Sequence, residues 1–137
     1  MSVPIRGTKQ RSVVTGGGGF VGRHLVNALA LRGDVVVSVD LGAKPWREGV
    51  TFIDADIRDA TSMQTACRDA DVVFHNASIV HTKNNRKEEV WSVNLGGTES
   101  MLAACRGAGV PKLVYVSSAS AVYEGKEIGR ASCRERV

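Results

Sequence analysis

No apolar run in this sequence reaches the ~18 residues that a membrane-crossing helix needs. The opening stretch, Met1 to Arg11, is polar and basic with no apolar core, so it does not read as a secretory signal. A cytoplasmic location is the default expectation. No cysteine pair makes C-x-x-C. Cys67, Cys105 and Cys133 are odd in number and widely spaced, which argues against a disulfide framework or a zinc site. His24, His75 and His81 add no ligand spacing, so no metal is expected. Cys67 and Cys105 fall in helical patterns, where buried free thiols are common. The chain also lacks a strong charge. The net value is +4, and three arginines against one glutamate between Gly129 and Val137 supply +2 of it. Elsewhere the signs are interspersed, which gives no nucleic-acid footprint.

What the 137 residues do contain is enough for one domain with a real core. The chain is organised around Thr15-Gly16-Gly17-Gly18-Gly19-Phe20-Val21-Gly22. This stretch follows the apolar pair Val13-Val14 and opens into the amphipathic run Phe20 to Leu31. A short strand, a glycine turn and a helix describe a phosphate-binding βα unit. Gly16 allows the sharp turn out of the strand. Gly19 lets the backbone approach a pyrophosphate, and Gly22 lets the helix sit close to the strand. The helix start offers free N–H groups and the positive end of its dipole. The spacing fits Gly16, Gly19, Gly22 or Gly17, Gly19, Gly22. Four adjacent glycines would also suit a plain linker; the flanking strand and helix, with Asp40 further on, favour the phosphate turn.

Ser12 to Thr15 reads as the first strand and Phe20 to Arg32 as the first helix, with Phe20, Val21, Leu25, Ala28 and Leu29 on one face. Gly33 caps that helix, and Arg32-Gly33-Asp34 is a helix-to-strand turn rather than an adhesion motif. Val35 to Asp40 is a near-continuous apolar strand, as in parallel sheets covered on both faces. An acid at its end, Asp40, can accept both hydroxyls of an adenosine ribose and would repel a 2′-phosphate, which favours NAD over NADP. Val50 to Asp54 is a third strand. In such a sheet the following segment lies beside the adenine, which assigns Asp56 to the amino group and Ile57 to the ring. Asp59 or Thr61 caps the next helix, which runs to about Arg68.

Asp71 to Ser78 is the fourth strand and its exit, where the small residues of Asn76-Ala77-Ser78 let a cofactor lie against the backbone. His75 fits a packed or hydrogen-bonded role better than a catalytic one. Glu88 to Ala108 reads as one long amphipathic helix, with Val90, Val93, Leu95, Met101, Leu102 and Cys105 at near-helical spacing. Gly96-Gly97 inside it costs about 1 kcal/mol per glycine relative to alanine, a cost that close helix–sheet or cofactor contact would justify. Leu113 to Ser117 is the fifth strand. Strands alternating with helices give an α/β fold, a Rossmann doubly wound parallel sheet, with right-handed crossovers placing the strands in the order 3-2-1-4-5.

The residues resemble the extended short-chain dehydrogenase/reductases. The matching segments are the glycine stretch, Asp40, Asp56-Ile57, His75-Asn76-Ala77-Ser78, Val93-Asn94-Leu95-Gly96-Gly97-Thr98 and Val116-Ser117-Ser118, in the family's order and over nearly all of residues 11 to 125. Two segments are most similar to the 3β-hydroxysteroid dehydrogenase branch, which includes sterol-4α-carboxylate 3-dehydrogenases. These are Asn84-Asn85-Arg86-Lys87-Glu88 and Ser117 to Gly125. Sugar-nucleotide epimerases usually place a tight Val-Tyr-Gly after the serine pair, whereas here Glu124 separates Tyr123 from Gly125.

The resemblance implies NAD as cofactor, seated by Gly16, Gly19, Phe20, Val21, Gly22, Asp40, Asp56, Ile57, Asn76, Ala77, Ser78, Asn94 and Ser117. It makes Gly16, Gly19 and Gly22 the preferred triplet. It also implies a Tyr-x-x-x-Lys pair that exchanges a proton with a substrate hydroxyl while hydride passes to or from the nicotinamide, with Ser118 holding the reacting oxygen. Tyr115 and Tyr123, the two tyrosines, are followed four residues later by Ala119 and Glu127, so neither makes that motif. The expected full-length protein is a homodimeric oxidoreductase acting on the CH–OH group of a small sterol-like substrate. The alternatives are a sugar-nucleotide epimerase or dehydratase and a non-catalytic dinucleotide sensor. Residues 127–137 resemble the translation of a widely used DNA-sequencing adapter. The incomplete cofactor domain is therefore expected to be residues 1–126, followed by a non-native tail.

Overall fold

A computed structural model of the chain describes residues 9–80 and 87–122. The strands are β1 (Arg11–Thr15), β2 (Val35–Asp40), β3 (Val50–Asp54), β4 (Val72–His75) and β5 (Leu113–Tyr115). They form one parallel sheet in the order β3-β2-β1-β4-β5, as the alternating sequence pattern implies. The helices are α1 (Phe20–Arg32), α2 (Ala60–Cys67), α3 (Lys87–Trp91) and α4 (Gly97–Ala108). A π-helical turn, Ser92–Gly96, joins α3 to α4.

Successive strand side chains point to opposite faces, and both faces are covered. Val13, Val37, Val39 and Val73 pack with Met63, Ala66 and Cys67 of α2 and Met101, Ala104 and Cys105 of α4. Their neighbours Val14 and Val36 pack with Val26 and Leu29 of α1 on the other face. Val13, Val14, Val26, Val37 and Val39 have no exposed surface, and each such side chain contributes roughly 1.5–3 kcal/mol of hydrophobic stabilisation. Cys67 and Cys105 are free, buried thiols. Burial pushes the Cys67 thiol up to about 12, with Cys105 adding to it.

The helix ends follow their chemistry. Asp59 caps α2 by accepting the Thr61 N–H at 3.0 Å. Gly33 ends α1 in the left-handed region at φ 96°. The buried Asp34 accepts from Ser12 Oγ at 2.7 Å and pairs with Arg32, so Arg32-Gly33-Asp34 is the helix-to-strand turn. Burial pushes the Asp34 carboxyl up, but the Arg32 and Ser12 bonds outweigh it and hold it below the usual carboxylate range.

Two sequence expectations are corrected. The buried side of α1 is Gly22, Val26 and Leu29, at i, i+4 and i+7, whereas Phe20 is 82% exposed, Val21 56% exposed and Ala28 exposed. Gly22 makes the closest approach, so the burial face is centred on a residue with no apolar side chain. The run from Glu88 to Ala108 is not one regular helix. At the π turn the Gly97 N–H reaches back to the Ser92 carbonyl, which shifts the helical phase of α4 relative to α3. Met101 and Cys105 are buried as expected, but Leu95 and Leu102 are exposed. Gly97 justifies its cost, because a Cβ there would lie 2.4 Å from Ile57 Cδ1; Gly96 faces open space.

Candidate functional site

The carboxyl ends of β1, β2 and β4 meet at one edge of the sheet, and the glycine turn leaves β1 there. Gly16 has φ +69°, and a Cβ on it would sit 2.9 Å from Ala77 Cα. It therefore sets both the turn and the contact with the exit of β4. Its N–H donates to the Val39 carbonyl at 2.8 Å. Gly22 is the tightest position, since a Cβ would lie 1.9 Å from the Gly16 oxygen. The close approach expected of Gly22 is real, and its partner is the turn itself. Gly19 is the N-cap of α1 and makes no side-chain cap. The first N–H groups of α1, on Phe20 and Val21, are thus left for an anion. The Phe20 ring packs edge-on against His24; these two residues offer backbone, not side chains.

The site electrostatics centre on Asp40. Its Oδ2 accepts the Gly18 N–H at 2.8 Å and its Oδ1 accepts the Leu41 N–H at 2.8 Å. A Cβ on Gly18 would lie 2.9 Å from that Oδ2. The strand-end acid and the third glycine of the run therefore hold each other, a pairing that sequence reasoning missed. The signal was available in Gly18 itself, to which the Gly16, Gly19, Gly22 spacing assigns no phosphate contact.

A groove of about 310 Å³ runs from the glycine turn past Asp40 and along the exits of β3 and β4. Of the residues assigned to a cofactor from the sequence, Gly16, Gly19, Asp40, Asp56, Ile57, Asn76, Ala77 and Ser78 line it. Ile57 is 6% exposed and lies on Gly97. Both oxygens of Asp56 are gripped by Arg58, with Nε at 2.9 and 3.1 Å and Nη2 at 2.5 Å. Those hydrogen bonds hold the Asp56 carboxyl below the usual range. Arg58 also donates to Ser92 Oγ at 3.1 Å, tying this wall to the π turn. Arg58 is a second residue that sequence reasoning missed.

Asn94 does not line the groove. Its amide accepts the Ile79 N–H at 2.8 Å and donates to the Ile79 carbonyl at 3.0 Å, which fixes a groove residue from behind. Ser117 and Ser118 are exposed beyond β5 and do not line it either; Ser118 Oγ accepts the Ser120 N–H at 3.2 Å. Asn84-Asn85-Arg86, Tyr123 to Gly125 and residues 127–137 lie outside the described residues. A second recess of about 470 Å³ lies across Asp40 from the groove, lined by Arg23, Ser38, Lys44, Trp46 and Phe52 among others. The Arg23 guanidinium stands 5.3 Å from the Trp46 ring centroid.

Among the described residues there is no group of three or more His, Cys, Asp or Glu able to hold a metal, and no helix long and apolar enough to cross a membrane. The arrangement instead fits a dinucleotide. The turn's own N–H groups are engaged, those of Gly16 and Gly17 by the Val39 carbonyl, that of Gly18 by Asp40 and that of Gly19 by the Gly16 carbonyl. The start of α1 and its dipole are therefore what face a phosphate, and a carboxylate at the end of β2 opens on the same groove.

The sequence model of the 3-beta hydroxysteroid dehydrogenase/isomerase family matches residues 13–136. Short-chain dehydrogenase/reductase family 42E member 1 of Macaca fascicularis is 36% identical over 131 residues, covering 91% of this chain and 33% of that protein. The human sterol-4-alpha-carboxylate 3-dehydrogenase, decarboxylating, is 37% identical over 119 residues, covering 87% and 32%. Among solved structures, a short-chain dehydrogenase/reductase superfamily protein from Agrobacterium tumefaciens with bound NAD superposes with a TM-score of 0.77 at 28% identity, over 88% of this chain and 36% of that one. The chain thus spans about a third of the length of the curated relatives it matches.

Proposed function

From the premise that the chain belongs to the 3-beta hydroxysteroid dehydrogenase/isomerase family, we propose that its groove binds NAD. In the longer protein it would serve hydride transfer at the CH–OH group of a 3β-hydroxysteroid or sterol-like substrate. The observation that carries this reading is the pairing of an uncapped glycine turn with Asp40 on one groove. Bound there, the dinucleotide supplies the hydride acceptor.

The chain's own residues have separate tasks. Backbone N–H groups of Phe20 and Val21 bind the pyrophosphate at the start of α1, where Gly19, its own N–H given to the Gly16 carbonyl at 3.1 Å, keeps the approach open. Asp40 accepts the adenosine ribose hydroxyls and repels a 2′-phosphate. Asp56 accepts the adenine amino group from a carboxylate that Arg58 keeps charged. Ala77 and Ser78 give the middle of the cofactor a surface without bulk. Ser118, and Ser117 beside it, take the family's place at the reacting oxygen and the nicotinamide side, completed by Tyr-x-x-x-Lys in the longer protein.

Calorimetric titration of the 137-residue chain with NAD and with NADP tests the cofactor assignment; tighter binding of NADP would refute it. Turnover of a 3β-hydroxysteroid against a UDP-sugar by the longer protein tests the substrate class. Turnover confined to the UDP-sugar would replace the dehydrogenase reading with the epimerase one.

A further inference from the structure

His75, at the end of β4, is 1% exposed and contacts the ends of three other elements. Thr15 Oγ1 lies 2.8 Å from its Nδ1, and the same oxygen lies 3.1 Å from the backbone nitrogens of both Asn76 and Ala77. A hydroxyl has two lone pairs and one hydrogen. The two N–H groups fill the lone pairs, so the hydrogen goes to Nδ1, which must be bare. On the far side of the ring, Nε2 lies 3.0 Å from Thr98 Oγ1. Thr98 gives its own hydrogen to the Asn94 carbonyl, 2.6 Å away. Nε2 must therefore carry the ring's proton. The imidazole is neutral, in its Nε2–H form, and donor and acceptor cannot be exchanged without breaking a bond. Tyr115 of β5, stacked on the ring at 5.7 Å, is the titratable group seen against it. Burial pulls the imidazole below its ordinary pKa, in keeping with a neutral ring.

This relay begins and ends on the groove. Asn76 and Ala77 line the groove, and the backbone of Ala77 touches the space beside Gly16. At the other end, Asn94 of the π turn clamps Ile79 through both of its backbone groups. π turns inside helices are frequent at functional sites, where they free a carbonyl or re-aim a side chain. Here the turn's Asn94 carbonyl receives the Thr98 hydroxyl.

We propose that His75 is a positioning residue. Held between Thr15 and Thr98, its neutral ring locks the Asn76–Ile79 wall to the π turn and so sets the width of the groove. That the wall serves NAD rests on the cofactor reading above; the relay itself does not.

The experiment has two parts. Long-range 1H–15N spectra of the labelled parent chain, without NAD, report the His75 tautomer. The expected result is Nε2–H with a bare Nδ1; the Nδ1–H form or a charged ring at pH 7 overturns the proposal. Thr98→Val, which keeps the shape and removes the hydroxyl, is then compared with Thr98→Ser. Thr98→Val should speed amide exchange at Asn76 and Ala77 and weaken NAD binding roughly tenfold, the scale of one lost hydrogen bond. Thr98→Ser should restore both. Unchanged exchange and affinity in Thr98→Val, or no rescue by serine, overturns the proposal. If the parent chain binds no NAD yet shows the Nε2–H ring and faster exchange in Thr98→Val, the cofactor reading fails and the positioning of the wall stands. Because the tautomer is read on the parent chain, the test survives a variant that does not fold.

Discussion

Replacing Asp40 with alanine separates the ribose role of this residue from its structural one. In the free chain the carboxylate holds the Gly18 and Leu41 N–H groups at 2.8 Å each. Losing those bonds loosens the glycine turn for any dinucleotide, so that part of the effect is common to NAD and NADP and cancels in the ratio of their affinities. The ribose part does not cancel. A hydrogen bond to a charged acceptor contributes about 1.5–3 kcal/mol, so losing a single ribose contact weakens NAD roughly 10- to 150-fold. For NADP the same substitution removes a like charge from beside the 2′-phosphate. The recess across Asp40 carries Arg23 and Lys44, which remain to face that phosphate. The expected outcome in Asp40→Ala is a fall of at least about tenfold in the NAD-to-NADP affinity ratio, read by calorimetric titration of both cofactors against parent and variant. Equal losses for the two cofactors would show that Asp40 shapes the turn and never meets the ribose.

Other outcomes follow from the packing and from the sequence. Gly22→Ala places a Cβ 1.9 Å from the Gly16 oxygen; it should destabilise the chain by about 1–3 kcal/mol or more, as overpacking does, whereas Gly96→Ala, which meets open space, should be neutral or stabilising in the same thermal melts. The Cys67 thiol, pushed to about 12 by burial, should resist iodoacetamide at pH 8 in the native chain and react once denatured; native alkylation by mass spectrometry would contradict its burial. The Asp34 carboxyl is lowered in the folded state, so its stabilising effect is present above the ordinary carboxyl range and is lost as pH falls through the lowered value. Asp34→Asn should flatten the acid limb of the stability–pH curve, and an unchanged limb would assign acid lability elsewhere. The 137-residue chain, whose tyrosines are not followed by lysine at the fourth position, should oxidise no 3β-hydroxysteroid at an enzymatic rate; steady NADH production would refute that.

Most of the fold was legible because its signals are local. Continuous valine runs in β1 and β2, the glycine turn between β1 and α1, and the alternation of strand and helix are enough to order the sheet. The misreadings occur where a residue without an apolar side chain decides the packing. Counting apolar positions turned α1 toward Phe20 and Val21, but Gly22 lies at the contact and draws Val26 and Leu29 in with it. The π turn was invisible for a related reason. Gly96-Gly97 signals a departure from regular helix without saying which, and Gly97 alone meets a neighbour, Ile57. At the site, strand ends bring Asp40, Asp56 and Ala77 together, which the strand order foretells. The partners that orient them, Gly18 for Asp40 and Arg58 for Asp56, depend on loop geometry that no periodicity encodes. His75 was rightly read as hydrogen-bonded, but its partners come from strands and helices distant in sequence.

The central claim is that the groove at the end of β1 seats NAD by its glycine turn. Amide chemical-shift mapping of the 15N-labelled chain during NAD titration addresses it most directly. The account predicts a saturable response concentrated at Gly16, Gly18, Gly19, Phe20 and Val21, with Asp40, Asp56, Ile57 and Ala77 following the same curve. No saturable response, or one centred away from these residues, would contradict it.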